Sequence, residues 1–160
     1  MAVVVAIQGP SGSGKTTLIE QVIPRLQARG LKVGVIKHAH EGFAMDPEGK
    51  DSWRMWQAGA QVVVLAAPHE VLLRQRSSGA SLGGALALMP GDLDCIVVEG
   101  FAGDTAAPQA NVQLRLAVSH KGVWFNGTQV SRNDLGAIEE AIVSSMKHAI
   151  GPCLTMGRHT

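Results

Sequence analysis

The chain has 160 residues, enough for one domain with a substantial core, and 46% hydrophobic content excludes a disordered polymer. Its formal net charge is +1, from 14 Lys+Arg against 13 Asp+Glu, with no basic block and 4% aromatic residues, so nucleic acid is not an expected partner. No apolar run approaches the ~20 residues of a membrane span, and residues 1–7 lack the basic start of a signal peptide, so the expectation is a cytoplasmic protein with no membrane partner.

The chain opens on the apolar run Val3-Val4-Val5-Ala6-Ile7. It then turns through Gly9-Pro10-Ser11-Gly12-Ser13-Gly14-Lys15-Thr16 and continues with Leu18, Ile19, Val22, Ile23 and Leu26 at helical spacing. Strand, glycine-rich loop and helix in this order give G-x-x-x-x-G-K-[ST] the meaning of a P-loop. A polyphosphate needs several donors converging on a small volume. Gly12 and Gly14 lack a Cβ, so the backbone can approach phosphate oxygens closely, with Ser13 between them. Successive N–H groups form an anion-binding nest, and the following helix adds its positive end. Lys15 is expected to reach the β and γ phosphates, Thr16 to ligate Mg²⁺, and Thr17 to sit near the α-phosphate.

The first helix is expected to end near Arg29, with Gly30 as its C-cap glycine and Pro24 as a possible kink. Residues 31–36 read as a second strand, with Lys37-His38-Ala39-His40 at its exit. Residues 41–50 carry Gly and Pro breakers and read as a loop, after which Asp51 or Ser52 caps a short helix through Gln57, ended by Gly59. The β-branched run 61–67 predicts a buried strand, and 71–74 a further strand antiparallel to it. Residues 81–89 suggest a helix weakened by Gly83-Gly84, and 94–100 a strong buried strand holding Cys95 as a buried thiol. With Cys153 as the second cysteine, the chain has too few for a disulfide framework. Residues 103–111 read as a mobile loop and 113–119 as a strand. A hairpin over 124–130 turns at Asn126-Gly127. Ser131 or Asn133 is expected to cap a last helix over 134–150, followed by a weakly ordered tail.

A P-loop site usually sets a carboxylate beside its Ser/Thr and Mg²⁺. Asp94 enters its strand and Glu99 leaves it. If that strand runs parallel to the first, Glu99 lies on the phosphate side and Asp94 on the far side. Glu99 is therefore the expected partner of the metal or of an attacking water. Asp46 is a second metal candidate if its loop folds back. Lys37 and His38 leave their strand on the same side, and Lys50-Asp51-Ser52 at a helix start offers a further anion contact. His38 and His40, without a third ligand of the right kind nearby, are weak evidence for a zinc site. Trp53 and Trp56 share one helical face and read as packing or interface residues.

Several segments resemble one family. They are Gly9 to Glu20, Val33-Gly34-Val35-Ile36-Lys37-His38, Asp46 with Gly49-Lys50-Asp51-Ser52-Trp53-Arg54, Ala58-Gly59-Ala60, and Val97-Val98-Glu99-Gly100-Phe101. Together they resemble the MobB family, molybdopterin-guanine dinucleotide biosynthesis protein B. The resemblance implies a GTP-binding protein, usually a homodimer. In that family the protein is an adapter to the MobA nucleotidyltransferase, which attaches GMP to molybdopterin. It implies slow Mg²⁺-dependent GTP hydrolysis, with Gly12, Ser13, Gly14, Lys15, Thr16 and Thr17 on the phosphates and Mg²⁺, Glu99 at the metal or water, and Lys37, His38, Asp46 and Lys50 as further site residues. No N-K-x-D segment is present, and Ser131-Arg132-Asn133-Asp134 is similar to it only superficially, so guanine preference rests on the resemblance.

The expected fold is a single P-loop NTPase domain over residues 1–160, three-layered, with a mainly parallel sheet flanked by helices. The expected cofactors are GTP and Mg²⁺. The alternative is a P-loop small-molecule kinase using ATP, although Arg74, Arg76 and Arg115 form no evident arginine lid.

Overall fold

The computed structural model describes residues 2–43, 46–79, 81–101 and 112–150. The expected mobile loop at 103–111 and the tail at 151–160, with Cys153, lie outside the described residues. In chain order the elements are β1 (Val3–Gln8), α1 (Lys15–Ala28), β2 (Val33–Lys37), α2 (Asp51–Gln57), β3 (Val62–Ala67), β4 (Glu70–Gln75), α3 (Leu82–Ala87), β5 (Cys95–Glu99), β6 (Leu114–Ser119), β7 (Gly122–Phe125), β8 (Thr128–Val130) and α4 (Leu135–Ile150). They fall into two compact units, Met1–His38 with Ser81–Thr160, and Ala39–Ala80.

The first unit is built on a six-stranded sheet in the order β2-β5-β1-β6-β7-β8. β2, β5, β1 and β6 are parallel, and β7 and β8 extend the sheet antiparallel. β1 and β5 are apolar at nearly every position because both faces are covered. Val3, Val5 and Ile7 pack with Leu18, Val22 and Leu26 of α1 and Ile138 and Ile142 of α4. On the opposite face Val4, Ile96 and Val98 meet Leu82 of α3. This is the expected helix–sheet–helix sandwich. Each fully buried Val, Leu or Ile contributes roughly 1.5–3 kcal/mol relative to exposure. β6 instead alternates, with Leu114, Leu116 and Val118 buried and Arg115 and Ala117 exposed.

Polar contacts fix the edges of these elements. Glu139, buried on α4, accepts from the guanidinium groups of Arg25 at 2.6 Å and of Arg29, tying α4 to α1. β2 starts two residues later than expected because Leu31 N–H closes the end of α1 on Leu26 O and Lys32 N–H donates to the Asp94 carboxylate at 2.8 Å. Pro24 lies within a continuous α1. Ser131 and Asn133 do not supply the cap of α4. Asp134 Oδ1 accepts from Ala137 N–H at 3.0 Å, while Ser131 Oγ is taken by Asn133 N–H. The β7–β8 hairpin turns at Asn126 (φ +49°) and Gly127 (φ +77°), the left-handed pair that Asn-Gly supplies at low cost.

The second unit carries α2 and the antiparallel pair β3–β4, in register from Val62 opposite Gln75 to Ala67 opposite Glu70. Lys50, not Asp51 or Ser52, holds the N-cap position of α2, without a side-chain cap bond. Asp51 falls in the first turn, where a negative charge suits the helix dipole. The expectation of a buried β3 is wrong: only Val63 is buried, while Val62, Val64, Leu65, Val71 and Leu73 are exposed. Two strands and a seven-residue helix with no buried residue cannot cover both faces of the hairpin. Arg74 and Arg76 stack on the Trp56 ring, each 4.1 Å from its centroid, and Arg76 also donates to Trp56 O and Ala60 O.

Candidate functional site

The glycine-rich loop leaves the carboxyl end of β1 and enters α1. Gly12 (φ +70°) and Gly14 (φ +86°) occupy left-handed backbone that other residues rarely adopt. Gly9 is also required by space, because a Cβ there would stand 2.1 Å from Val118 O on the neighbouring β6. Lys15 folds back over the loop and donates from Nζ to Gly9 O at 3.0 Å and Pro10 O at 2.7 Å. Its ammonium thus caps the concavity formed by the backbone. Ser13 is fully buried, and its hydroxyl has no hydrogen-bond partner among the described residues.

Glu99 ends β5, and the parallel register sets it opposite Ile7 of β1 on one side and Lys37 of β2 on the other. This direction sets Glu99 at the loop end of β5 and Asp94 at the opposite end. Thr16 Oγ1 donates to the Glu99 carboxylate, 3.2 Å from each oxygen. Lys37 Nζ lies 3.4 Å from Glu99 Oε2. Asp94, at the opposite end of the strand, is committed to Lys32 N–H.

His38 follows Lys37, and its backbone N–H donates to Glu99 O at 2.9 Å. Its ring stacks on Phe101 at 4.2 Å between centroids. Gly100 (φ +99°) permits this approach, since a Cβ there would stand 2.8 Å from His38 Cβ. Phe101 itself adopts φ +55°, so β5 ends in a sharp left-handed turn. Lys15, Thr16, Glu99, Lys37 and His38 therefore gather at one end of the parallel sheet.

Asp46, Lys50 and His40 belong to the second unit. There Asp46 Oδ2 lies 3.6 Å from Arg74 Nη1, with the carboxylate largely buried. Among the described residues no group of three or more His, Cys, Asp or Glu side chains is placed to hold a metal ion. Sequence reasoning missed Arg132. A Cβ at Gly14 would stand 1.7 Å from Arg132 Nη2 and 2.7 Å from its Cζ, so the guanidinium rests directly on the loop. Arg132 comes from the segment before α4, and no spacing in the sequence links it to Gly14. The Arg74–Trp56–Arg76 stack was also missed. Its signal was the i, i+2 spacing of the two arginines, Arg74 in β4 and Arg76 directly after it, which sends both to the same side of an extended backbone.

Comparison with known proteins follows the same lines. Residues 4–127 match the family described as molybdopterin guanine dinucleotide synthesis protein B, MobB. The molybdopterin-guanine dinucleotide biosynthesis adapter protein of Haemophilus influenzae is 45% identical over 97 residues, covering 59% of this chain and 54% of the relative. The urease accessory protein UreG of Mycolicibacterium gilvum is 34% identical over 113 residues, covering 66% of this chain and 52% of the relative. The chain thus spans about half the length of these curated relatives. A crystal structure of molybdopterin-guanine biosynthesis protein B superposes with a TM-score of 0.64 at 27% identity, covering 90% of this chain and 99% of that one. With the family match spanning β1 to the β7–β8 turn, including the loop, Glu99 and the Lys37-His38 segment, this chain belongs to the MobB family.

Proposed function

We propose that the chain is a GTP-binding accessory protein of molybdenum cofactor maturation. In this reading it acts in the cytoplasm as an adapter to a MobA-type nucleotidyltransferase during molybdopterin guanine dinucleotide synthesis, and hydrolyses GTP slowly. The observation that carries the nucleotide part is the meeting of Thr16 and Glu99, 3.2 Å apart, at the mouth of a left-handed glycine loop covered by Lys15. The adapter part is supported by the family and by relatives bearing that name.

The residues suit a magnesium nucleotide. The Thr16 hydroxyl and the Glu99 carboxylate are hard oxygen donors, the type that Mg²⁺ prefers, and would hold the ion that neutralises phosphate charge. Gly12, Ser13, Gly14 and Lys15 would surround the phosphates, with the buried Ser13 hydroxyl available to an oxygen. Thr17 follows on the first turn of α1. Lys15 exchanges two neutral carbonyl acceptors for phosphate oxygens, a stronger charge-assisted pairing. Glu99 accepts from the Thr16 hydroxyl and would also orient water. Lys37 and His38 flank it, and Lys50 and Asp46 enter this reading through the family resemblance alone.

A homodimer belongs to the same reading. The exposed Val62, Val64, Leu65, Val71 and Leu73 of β3–β4 support a second copy as the cover of this hairpin.

Binding calorimetry with GTP and ATP, with and without Mg²⁺, tests the reading. GTP is expected to bind more tightly than ATP, and Mg²⁺ to strengthen binding. Lys15→Ala is expected to weaken GTP binding by about a hundredfold or more, because a phosphate charge loses its partner. Unchanged affinity in that variant would overturn the loop assignment. Glu99→Gln is expected to keep the nucleotide and slow its hydrolysis. Rapid ATP-dependent phosphorylation of a small metabolite would replace the adapter reading with the kinase one.

A further inference from the structure

Glu99 stands at the last paired position of β5, opposite Lys37 of β2. Strand ends fray unless something beyond them holds the chain. Here His38 and Phe101 do so. The backbone N–H of His38 donates to Glu99 O at 2.9 Å, which carries the β2–β5 pairing past its last registered pair. Phe101 then turns back, and its ring lies on the His38 ring with 4.2 Å between centroids and 12° between planes. The chain ends that leave β2 and β5 are thus joined both by backbone and by ring faces.

Phe101 holds this position at φ +55°, a left-handed conformation that bulky residues rarely adopt. Gly100 before it has φ +99° and no room for a Cβ, which would stand 2.8 Å from His38 Cβ. Strain of this kind persists only where the surroundings over-determine it, and it collects at functional sites. The surroundings do so here. Phe101 is 9% exposed and belongs to the apolar cluster of Ile36 from β2, Leu82 from α3 and Val98 from β5. The turn folds the chain back over the end of β2, so that one ring meets both the core and His38.

We propose that Phe101 is a positioning residue for Glu99. Its ring, stacked on the half-buried His38, clamps the end of β5 and holds the Glu99 carboxylate on the Thr16 hydroxyl. The stack uses the face of the imidazole, whereas its nitrogens lie in the ring plane, so in this contact His38 serves as a flat ring. The inference rests on the reading of Glu99 as the acid beside a magnesium nucleotide. It adds that an aromatic pair beyond the strand end sets the aim of that acid.

Hydrogen exchange of the full chain, read at the His38 amide by NMR, tests the clamp without nucleotide. Phe101→Leu keeps an apolar side chain and removes the flat ring. It is expected to speed that exchange about two- to tenfold, the scale of one aromatic pair. With GTP, the same variant is expected to need more Mg²⁺ for half-maximal hydrolysis and to lower kcat about tenfold, the cost of a misaimed group. GTP affinity without Mg²⁺ is expected to change by less than about twofold, because the loop that holds the phosphates keeps its own backbone. His38→Phe and His38→Gln form a second pair, decisive if Phe101→Leu melts early. The ring-keeping His38→Phe is expected to recover most of the hydrolysis that His38→Gln loses. The reverse order would overturn the proposal, since the ring nitrogens would then do the work. Unchanged exchange at His38 in Phe101→Leu would also overturn it. So would equal loss of GTP binding with and without Mg²⁺, which marks Phe101 as core packing only. Faster exchange in Phe101→Leu, together with a wild type that binds no GTP, would uphold the clamp and overturn the nucleotide reading.

Discussion

β1 and β3 are nearly the same sequence used in two ways. Val3-Val4-Val5-Ala6-Ile7 is at most 5% exposed, whereas in β3 Val62 is 47%, Val64 54% and Leu65 38% exposed. Both are continuous apolar runs, and both formed strands. The difference lies in what the surrounding chain offers. β1 has α1 and α4 on one face and α3 on the other side of its sheet. β3 has one antiparallel neighbour in a unit whose helix α2 buries none of its residues. An apolar run therefore states that a strand needs cover, and leaves open whether its own chain provides it.

The largest test of this comparison introduces the same charge in both places. Val5→Asp is expected to abolish the folded state, because an unpaired carboxylate at a fully buried site is too costly. Val64→Asp is expected to leave the melting transition of the monomer intact and, for the proposed homodimer, to shift sedimentation from dimer to monomer. Equal damage from both would mean that β3 is covered within its own chain. A milder version compares leucines. Leu116→Ala, in the core, is expected to cost about 2–5 kcal/mol by denaturant unfolding. Leu73→Ala is expected to stay within about 0.5 kcal/mol at concentrations where the chain is monomeric.

A smaller effect separates the two units by pH. The Arg25 guanidinium, with Arg29, holds the Glu139 carboxyl below its ordinary value of 4.5. A lowered carboxylate contributes stability above its unfolded value, and that contribution is lost as pH falls through the folded one. Melting followed below pH 4.5 is expected to show this loss in the wild type and a shallower acid dependence in Glu139→Gln. An identical acid profile in the variant would remove the ion pair from the account. The smallest effect is at Cys95, whose thiol burial pushes up to about 12, helped by Asp94. In a Cys153→Ser background, thiol labelling at pH 8 is expected to be slow in the native chain and to appear with unfolding. Rapid native labelling would show that β5 opens locally.

The parts legible in the sequence were those decided by neighbours along the chain. The loop from Gly9 to Thr16 needed only its flanking strand and helix. Glu99 could be told from Asp94 because strand direction alone separates the two ends of β5. The Asn126-Gly127 turn followed from local backbone preference. The parts that were not legible depend on distant packing. The cap of α4 moved to Asp134 because Ser131 Oγ bonds Asn133 N–H instead. Arg132 reached Gly14 through the β6–β7–β8 meander, which no periodicity announces. The pairing of Asp46 with Arg74 joins residues far apart along the chain, which no local pattern announces. The MobB resemblance rested in part on short segments at the ends of β1, β2 and β5, and in part on residues 46–60 around α2 in the second unit.

The Lys37–Glu99 contact has a consequence for the resting protein. β5 lies between β1 and β2, so the tip of one strand is shared by the Thr16 hydroxyl on one flank and an ammonium on the other. The carboxylate therefore carries its own counter-ion from within the sheet. On the proposed reading, a cation would meet a carboxylate already aimed, with Lys37 as the charge to displace or share.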